Sequence, residues 1–246
     1  MTTNNSKILE VCLSSDNLQV LRQNLTKVCN SGAQRIELCA NMDQNGITPS
    51  TQAMALGGEL VSANTELLVM IRPTACSFVV DSSTLKLMLN CIDSAAAHGA
   101  SGVVFGVLTN AGDVDAHALE ALVRQAQRAN LKCTFHRAFD AIDNQFNALD
   151  TLINLGIDRV LSSGTPWQSG LGAAAGIERL RALASHARGR LELVVGGGIT
   201  PNNAAPIWQK LAQQYGPISL HSYAGVHRAQ GLVSRSAIEA ILDARD

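Results

Sequence analysis

The sequence alternates eight times between a short apolar run and a longer amphipathic one, and this alternation most constrains the fold. The apolar runs have the length of buried strands, and the amphipathic runs carry apolar residues at helical spacing. The predicted strands are KILEVC (7–12), RIELC (35–39), ELLVMIRP (66–73), SGVVFGVL (101–108), KCTFHRAFD (132–140), DRVLSSG (158–164), RLELVVGGG (190–198) and PISLHS (217–222). The predicted helices are Asn17–Ser31, Ser50–Ala63, Ser82–His98, Asp115–Asn130, Gln145–Leu155, Gly170–Ala187, 200–214 and Ser234–Ala244.

Strands that alternate with helices pair in parallel through right-handed crossovers. Eight such units in 246 residues have the size of a closed TIM-type (β/α)8 barrel. We therefore predict one α/β domain over residues 1–246, with a doubly wound open sheet as the alternative. A glycine follows three of the predicted helices, at Gly32, Gly99 and Gly156, and predicts a left-handed helix cap just before the next strand.

Composition and charge exclude several classes of protein. Hydrophobic residues make up 46% of the chain and charged residues 16%, which excludes a disordered chain. The formal net charge is −1 and there is no basic run, so nothing indicates binding to nucleic acid or to an anionic membrane. The start lacks a secretory signal, and no apolar run is long enough to span a bilayer. We therefore expect a cytoplasmic protein whose six cysteines are reduced. None of them forms a C-x-x-C pair, so their spacing does not indicate a zinc site or a redox dithiol.

Polar and ionisable residues end nearly every predicted strand. In a barrel of this kind, sites form at the carboxyl ends of the strands. Side chains alternate along a strand, so Glu10 shares a face with Cys12 and Glu37 with Cys39. We expect both glutamates to meet Arg72 and His136 near the barrel mouth, with Arg72 paired to a glutamate because an unpaired buried charge is costly. Alternatively, such ion pairs only fill the barrel.

These strand ends support an enzyme that acts on a small anionic or phosphorylated metabolite. His136 would act as a general acid or base, oriented by Asp140 or a glutamate, and Arg72 would orient the substrate. The backbone of the GGGIT segment would bind an anion together with a hydroxyl-rich strand end. Plain turns and a core histidine are the alternatives. The catalytic candidates are Glu10, Glu37, Arg72, His136, Arg137 and Asp140, and the anion-binding candidates are Ser163, Gly164, Gly197 and Gly198.

A run of motifs resembles the CutC family of copper homeostasis proteins. The motifs are, in order, LEVC, RIELC, G-x-TPS, MIRP, GVVFGVLT, TFHRAFD, GIDRVLSSG, GGGIT and LHSYA, from Leu9 to Ala224. The resemblance implies a cytoplasmic TIM-type barrel, a homo-oligomer and a role in copper tolerance, with no established reaction. It also implies Cu(I) binding through two cysteines that align with Cys12 and Cys39. Cu(I) is soft and prefers thiolates, although free cysteines often serve only as small buried apolar residues.

The loop after the third strand departs from the family pattern. Residues Thr74–Asp81 replace a basic, Gly-Gly-Asp-Phe and tyrosine stretch, of which Phe78 remains. Asn45 likewise stands where the family usually has a glycine. We expect the altered loop to change the ligand, and Cys76 to add a third thiol near the mouth. Copper binding, an enzyme, and an inert barrel used as an interaction partner remain the open functions.

Overall fold

Eight parallel strands close into a barrel in the computed structural model, which describes residues 8–211 and 216–244. The strands are β1 (Ile8–Ser14), β2 (Arg35–Cys39), β3 (Glu66–Met70), β4 (Gly102–Phe105), β5 (Lys132–Phe135), β6 (Arg159–Ser162), β7 (Glu192–Val195) and β8 (Ile218–Ser222). Each strand pairs with the next and β8 pairs with β1, which confirms the closed barrel and rules out the open sheet. The predicted start of β1 at Lys7 and the end of the helix 200–214 lie outside the described residues.

One helix follows each strand. The helices are α1 (Leu18–Cys29), α2 (Thr51–Leu60), α3 (Ser82–Ala97), α4 (Ala116–Arg128), α5 (Gln145–Asn154), α6 (Ile177–Ala187), α7 (Pro201–Leu211) and α8 (Arg235–Asp243). Asn, Asp or Ser side chains accept amide hydrogens at the starts of six of them, which is why these helices begin where the sequence predicts. The predicted glycine caps are also confirmed, since Gly32, Gly99 and Gly156 have φ of 85°, 81° and 80°.

The predicted start of the sixth helix at Gly170 is wrong. Residues 170–176 form turns, and α6 begins only at Ile177. A Cβ atom placed on Gly172 or Gly176 would lie 2.7 Å from the Gly197 carbonyl oxygen or 2.1 Å from that of Ser163. These glycines therefore let the segment pack against the ends of β6 and β7 instead of coiling.

Side chains that alternate along each strand point either outward to the helices or inward to the interior of the barrel. Leu9, Val11 and Leu13 of β1 pack outward with the helices in the main apolar core. Cys12 faces inward, where it forms a small cluster with Cys39 and neighbours on β3 and β4. The predicted shared faces of β1 and β2 are thus confirmed, and they bring chemistry-bearing side chains inside the barrel.

An ion network closes the amino end of the barrel; we call it the floor network. It consists of Arg35, Glu66, Arg159 and Glu192, which are the first residues of β2, β3, β6 and β7, together with Glu10. Arg35 contacts Glu192 at 2.6 Å and Glu10 at 3.5 Å, while Arg159 contacts Glu66 at 2.5 Å. These ion pairs are not the predicted ones, because they use Arg35 and Arg159 rather than Arg72, and they leave the other end of the barrel open for a site.

Candidate functional site: a thiol pair in the barrel mouth

A cavity of about 250 Å³ lies at the carboxyl ends of the strands. Sulfur atoms, charged groups, aromatic rings and bare backbone all face it. Its walls include Cys12, Glu37, Cys39, Met42, Met70, Arg72, Phe78, His136, Arg137, Trp167, Gly197, Gly198, His221 and Tyr223. The cavity therefore brings together the cysteines, His136 and the glycine string that the strand ends predict, and it adds His221.

Two free thiols form the most distinctive part of the wall. Cys12 on β1 and Cys39 on β2 are each 1% exposed, and their Sγ atoms lie 3.8 Å apart. Their adjacent strands place both side chains inside the barrel near its mouth. Met42 adds a third sulfur, because its Sδ lies 3.9 Å from Cys12 Sγ. One carboxylate oxygen of Glu37 and the two thiol sulfurs all lie within 4.8 Å of one another.

Both thiols are protonated at neutral pH. The hydrogen bond with Cys39 and burial raise the pKa of Cys12 well above its usual value. For Cys39, the hydrogen bond from Cys12 lowers the pKa, but burial and the nearby Glu37 carboxylate raise it to about 11. The pair is therefore a poor nucleophile, and a bound metal ion would have to displace both protons.

Glu37 and His221 form a buried ion pair beside the thiols. His221 Nε2 donates to Glu37 Oε2 at 2.8 Å. Burial opposes the charge on each partner, but their mutual attraction lowers the pKa of Glu37 and raises that of His221. His221 also lies 3.9 Å from Glu10, whose pKa burial raises.

Glu10 itself is not part of the cavity wall. It is fully buried one step below, between His221 and Arg35, as the strand register Glu10↔Arg35 and Glu10↔His221 requires. The predicted position at the mouth is therefore wrong for Glu10, while Glu37 does reach the cavity.

His136 is neutral in this environment. Burial, and then the positive charge of Arg72, lower the pKa of His136 to about 3. Its Nδ1 accepts the Ala138 amide hydrogen at 3.2 Å, so the ring proton is assigned to Nε2. Nε2 is buried without a hydrogen-bond partner among the described residues. Asp140 does not orient the ring as predicted, because it instead accepts hydrogen bonds from Ser162, Ser163 and Arg137.

The predicted pairing of Arg72 with a glutamate is wrong. Its guanidinium donates to the carbonyl oxygens of Gln44 and Gly46, each at 2.9 Å, and to that of Ala75 at 2.6 Å. Phe78 lies against it, with the ring centroid 5.3 Å from Arg72 Cζ. Arg72 therefore clamps two loops together rather than presenting its charge to the glutamates.

Arg137 also lines the cavity. It donates to Asp140 at 2.8 Å and to Ser163 at 2.9 Å, and its guanidinium stacks 5.2 Å from the Trp167 ring centroid. The side chain stays 29% exposed, so part of its charge still faces the cavity.

The anion-binding candidates divide into two pairs. The Ser163 amide donates to Asp140 and the Gly164 amide to Ser162 Oγ, so both predicted donors are already used inside the protein. Gly197 and Gly198 line the cavity with positive φ of 92° and 76°. A Cβ atom on Gly197 would lie 2.9 Å from that of Ser163, which explains the bare backbone at this position.

The altered loop contributes a ring instead of a thiol. Phe78 lies 5.3 Å from the His136 ring and 5.4 Å from the Trp167 ring, and all three line the cavity. Cys76 is exposed and does not contribute to the cavity wall. Cys76 therefore supplies no third thiol to the cavity wall, although it lies near enough to Arg72 to interact with its charge.

Sequence reasoning missed Met42, Met70, Trp167 and Tyr223, which also line the cavity. Met42 had a usable signal, because it stands in a Cys39-x-x-Met42 spacing directly after a strand. The other three sit in apolar or loop segments without such a pattern.

The fold and the site together define the class of protein: a TIM-type (β/α)8 barrel with two buried thiols at its mouth. Comparison then gives the family: the CutC family model matches residues 7–226, and the chain belongs to the CutC family. A family protein CutC of Vibrio vulnificus (strain CMCP6) is 38% identical over 199 residues, covering 81% of this chain and 75% of the relative. The copper homeostasis protein cutC homolog of Homo sapiens is 32% identical over 237 residues, covering 96% of this chain and 80% of the human protein.

A solved structure agrees with this membership. The crystal structure of a CutC protein from Streptococcus agalactiae has a TM-score of 0.78 at 30% identity, covering 88% of this chain and 99% of that one. In the described part of this chain, no helix combines the length and apolar character needed to cross a membrane.

Proposed function

We propose that this protein binds Cu(I) through Cys12 and Cys39 as part of copper homeostasis. The observation that carries the proposal is the pair of free thiols, 3.8 Å apart, buried, and lining one cavity. Two thiols at this separation can bind one ion by modest side-chain rotation. The human relative's name, which refers to copper homeostasis, supports the same ion.

The surrounding donors fit a soft monovalent ion better than a hard divalent one. Thiolates and thioethers select Cu(I), whereas carboxylate and carbonyl oxygens suit magnesium or calcium. The nearest carboxylate, Glu37, is already bonded to His221 at 2.8 Å. A Cu(I) ion with two thiolates carries one net negative charge, which a buried site tolerates better than the charge of a more heavily anionic cluster.

The test is an anaerobic Cu(I) titration of the reduced protein against a competing chelator, with Cys12→Ser/Cys39→Ser as the variant. We expect one tight equivalent that is lost in the double variant. Cys76→Ser is the matched control, because Cys76 is an exposed thiol that is not part of the cavity wall. Equal weak binding by all three proteins would contradict the proposal.

A second candidate, a small anionic metabolite as ligand or substrate, has one observation of its own. His136 Nε2 is a buried donor without a partner among the described residues, in a cavity that Arg137 also lines. We propose testing it by thermal shift with inorganic phosphate and small phosphorylated acids. Stabilisation that is lost in Arg137→Gln but kept in Cys12→Ser/Cys39→Ser would support this ligand, and no stabilisation by any of them would reject it.

We further propose a cytoplasmic location and a homo-oligomeric state, as the family resemblance implies. Light scattering of the purified protein measures the state directly, and a monomer at micromolar concentration would contradict this proposal.

A further inference from the structure

We infer that Met42 is a third ligand, so that the site holds Cu(I) in a trigonal set of two cysteines and one methionine. This inference rests on the proposed Cu(I) function and deepens it. It begins from the position of Met42 Sδ, 3.9 Å from Cys12 Sγ, which is itself 3.8 Å from Cys39 Sγ.

These separations fit three-coordinate binding better than two-coordinate binding. At about 2.3 Å per metal–sulfur bond, as for thiolate-bound Zn²⁺, sulfurs in a trigonal plane lie about 4.0 Å apart. A linear arrangement at the same bond length would place its two sulfurs about 4.6 Å apart. The two separations that end at Cys12 Sγ, 3.8 Å to Cys39 and 3.9 Å to Met42, are both close to the trigonal value. Cys12 therefore need not move away from either sulfur if Met42 completes the set.

The sulfur atoms of Cys39 and Met42 both lie next to the backbone of Gly46. A Cβ atom placed on Gly46 would lie 3.4 Å from Cys39 Sγ and 3.7 Å from Met42 Sδ. The backbone of Gly46, at φ 79°, thus passes within van der Waals reach of both sulfurs. The three sulfurs therefore gather on one side of the cavity.

The loop that carries Met42 is fixed in place. Met42–Gln44 form a 3-10 helix between Asn41 and Asn45, both of which adopt left-handed backbone conformations. An antiparallel bridge joins Ala40 to Ile47 at the base of the loop. The Asn41 amide donates to Asp16 Oδ1 at 2.8 Å, which ties the loop to the end of β1.

Arg72 acts as a positioning residue for this loop. Its two hydrogen bonds to the Gln44 and Gly46 carbonyl oxygens hold the loop residues on either side of Asn45. A charged fork on carbonyl oxygens is stronger than a neutral hydrogen bond. The clamp explains why this arginine lies buried in the cavity wall with no carboxylate partner among the described residues.

A thioether suits this location chemically. It is a soft ligand that binds without losing a proton and adds no charge. A third thiolate would add a negative charge close to the ionised Glu37, whereas Met42 does not. Binding thus exchanges two thiol protons for one Cu(I), with the Met42 sulfur donating a lone pair and no change of oxidation state.

The experiment uses the full chain labelled with 13C at the methionine methyl groups. Cu(I) is diamagnetic, so the Met42 methyl resonance, assigned by its absence in Met42→Leu, can be followed as Cu(I) is added. We expect that resonance to shift with one equivalent of Cu(I). Loss of supporting partners around a metal typically costs 10–100-fold in affinity, so loss of a direct ligand in Met42→Leu should weaken Cu(I) binding by about tenfold or more.

Met70→Leu is the matched control, because Met70 lines the same cavity and packs with both cysteines. Unchanged affinity in Met70→Leu, with a loss in Met42→Leu, supports the inference. If Cu(I) shifts the Met70 methyl resonance instead, and Met70→Leu is the variant that loses affinity, the inference is overturned. It is also overturned if the Met42 resonance of the wild type does not move and Met42→Leu binds Cu(I) as tightly as the wild type. In both cases tight binding by the wild type would leave the two-cysteine proposal standing. No Cu(I) binding by the wild type would overturn both.

Discussion

Burial controls which protons the cavity residues carry, and this gives the copper site a pH dependence. Cys39 has a pKa of about 11 and that of Cys12 is raised well above its usual value, so both are thiols at pH 6–8. Each thiol proton that Cu(I) displaces makes binding about tenfold stronger per pH unit. We expect apparent Cu(I) affinity to rise about 100-fold per unit between pH 6 and 8, after correction for protonation of the chelator.

A competition titration at three pH values measures this slope. Cys12→Ser leaves one thiol and should roughly halve the slope on a logarithmic scale. A pH-independent affinity would mean that the thiols are already ionised, contrary to their buried surroundings.

His136 predicts a second pH effect, this time on stability. Its pKa is about 3 in the folded protein against 6.5 for an ordinary histidine, so the folded state resists protonation. The associated stability is complete above pH 6.5 and is lost as the pH falls toward 3. At pH 5 the loss is about 2 kcal/mol.

His136→Asn should remove that loss while its side-chain oxygen still accepts the Ala138 amide hydrogen. Urea unfolding at pH 8 and pH 5 measures the difference for each protein, and His117→Asn, an exposed histidine on α4, is the control. If His136→Asn loses as much stability at low pH as the wild type, His136 does not cause the effect.

At the scale of single residues, the sequence predicts which residues reach the mouth better than it predicts their hydrogen-bond and ion-pair partners. It identified Cys12, Cys39, Glu37 and His136 at the mouth, because alternation along a strand fixes which face each residue takes. It failed for Arg72 because the competing acceptors are carbonyl oxygens of loops whose path is not encoded by periodicity. Backbone acceptors occur at every position, so no pattern of side chains reveals them.

At the scale of helices and strands, the close approach of two backbones determines which glycines can be replaced by alanine without loss of stability. A Cβ atom on Gly58 of α2 would lie 2.0 Å from the His98 carbonyl oxygen at the end of α3. On the adjacent Gly57, it would lie 3.0 Å from the flexible end of Leu67. We expect Gly58→Ala to destabilise the protein by about 1–3 kcal/mol, as overpacking does.

Gly57→Ala is the matched control on the same helix. Alanine gains roughly 1 kcal/mol of helix propensity there, which offsets the tighter contact with Leu67. Chemical denaturation compares the two variants. Equal stability would show that α2 can move away from α3 without cost.

The sequence predicted elements well where periodicity and caps agree, and poorly where they do not. α3 was predicted within one residue because Asp81 caps its start and Gly99 ends it. α6 was predicted seven residues too early because its apolar spacing continues into a glycine-containing segment that packs on β6 and β7. A pattern of apolar residues does not distinguish a helix from turns that are buried by their neighbours.

For the whole molecule, the eight repeated strand–helix units were enough to predict a closed barrel. They did not predict how the side chains inside the barrel are arranged in layers. The barrel has a charged floor network, a small sulfur and apolar cluster above it, and a polar mouth. Each layer draws on several strands that are distant in sequence. Register alone determines which residues share a layer, and register is fixed by the closed sheet rather than by any one strand.

The floor network predicts a large global effect from one residue. Arg35 is 1% exposed and contacts three glutamates. Arg35→Met therefore removes the arginine next to the fully buried Glu10, which keeps only the longer contact to His221 at 3.9 Å, and it leaves Glu192 without its bidentate partner. Removing one partner of a buried ion pair costs about 3–5 kcal/mol. Arg124→Met is the control, because its pair with Glu120 lies on the surface of α4, where such pairs contribute about 0–1 kcal/mol. Urea unfolding at pH 7 measures both. Comparable small losses would show that Glu10 accepts a proton at little cost, in which case the barrel would depend on its apolar layers and not on its charged floor.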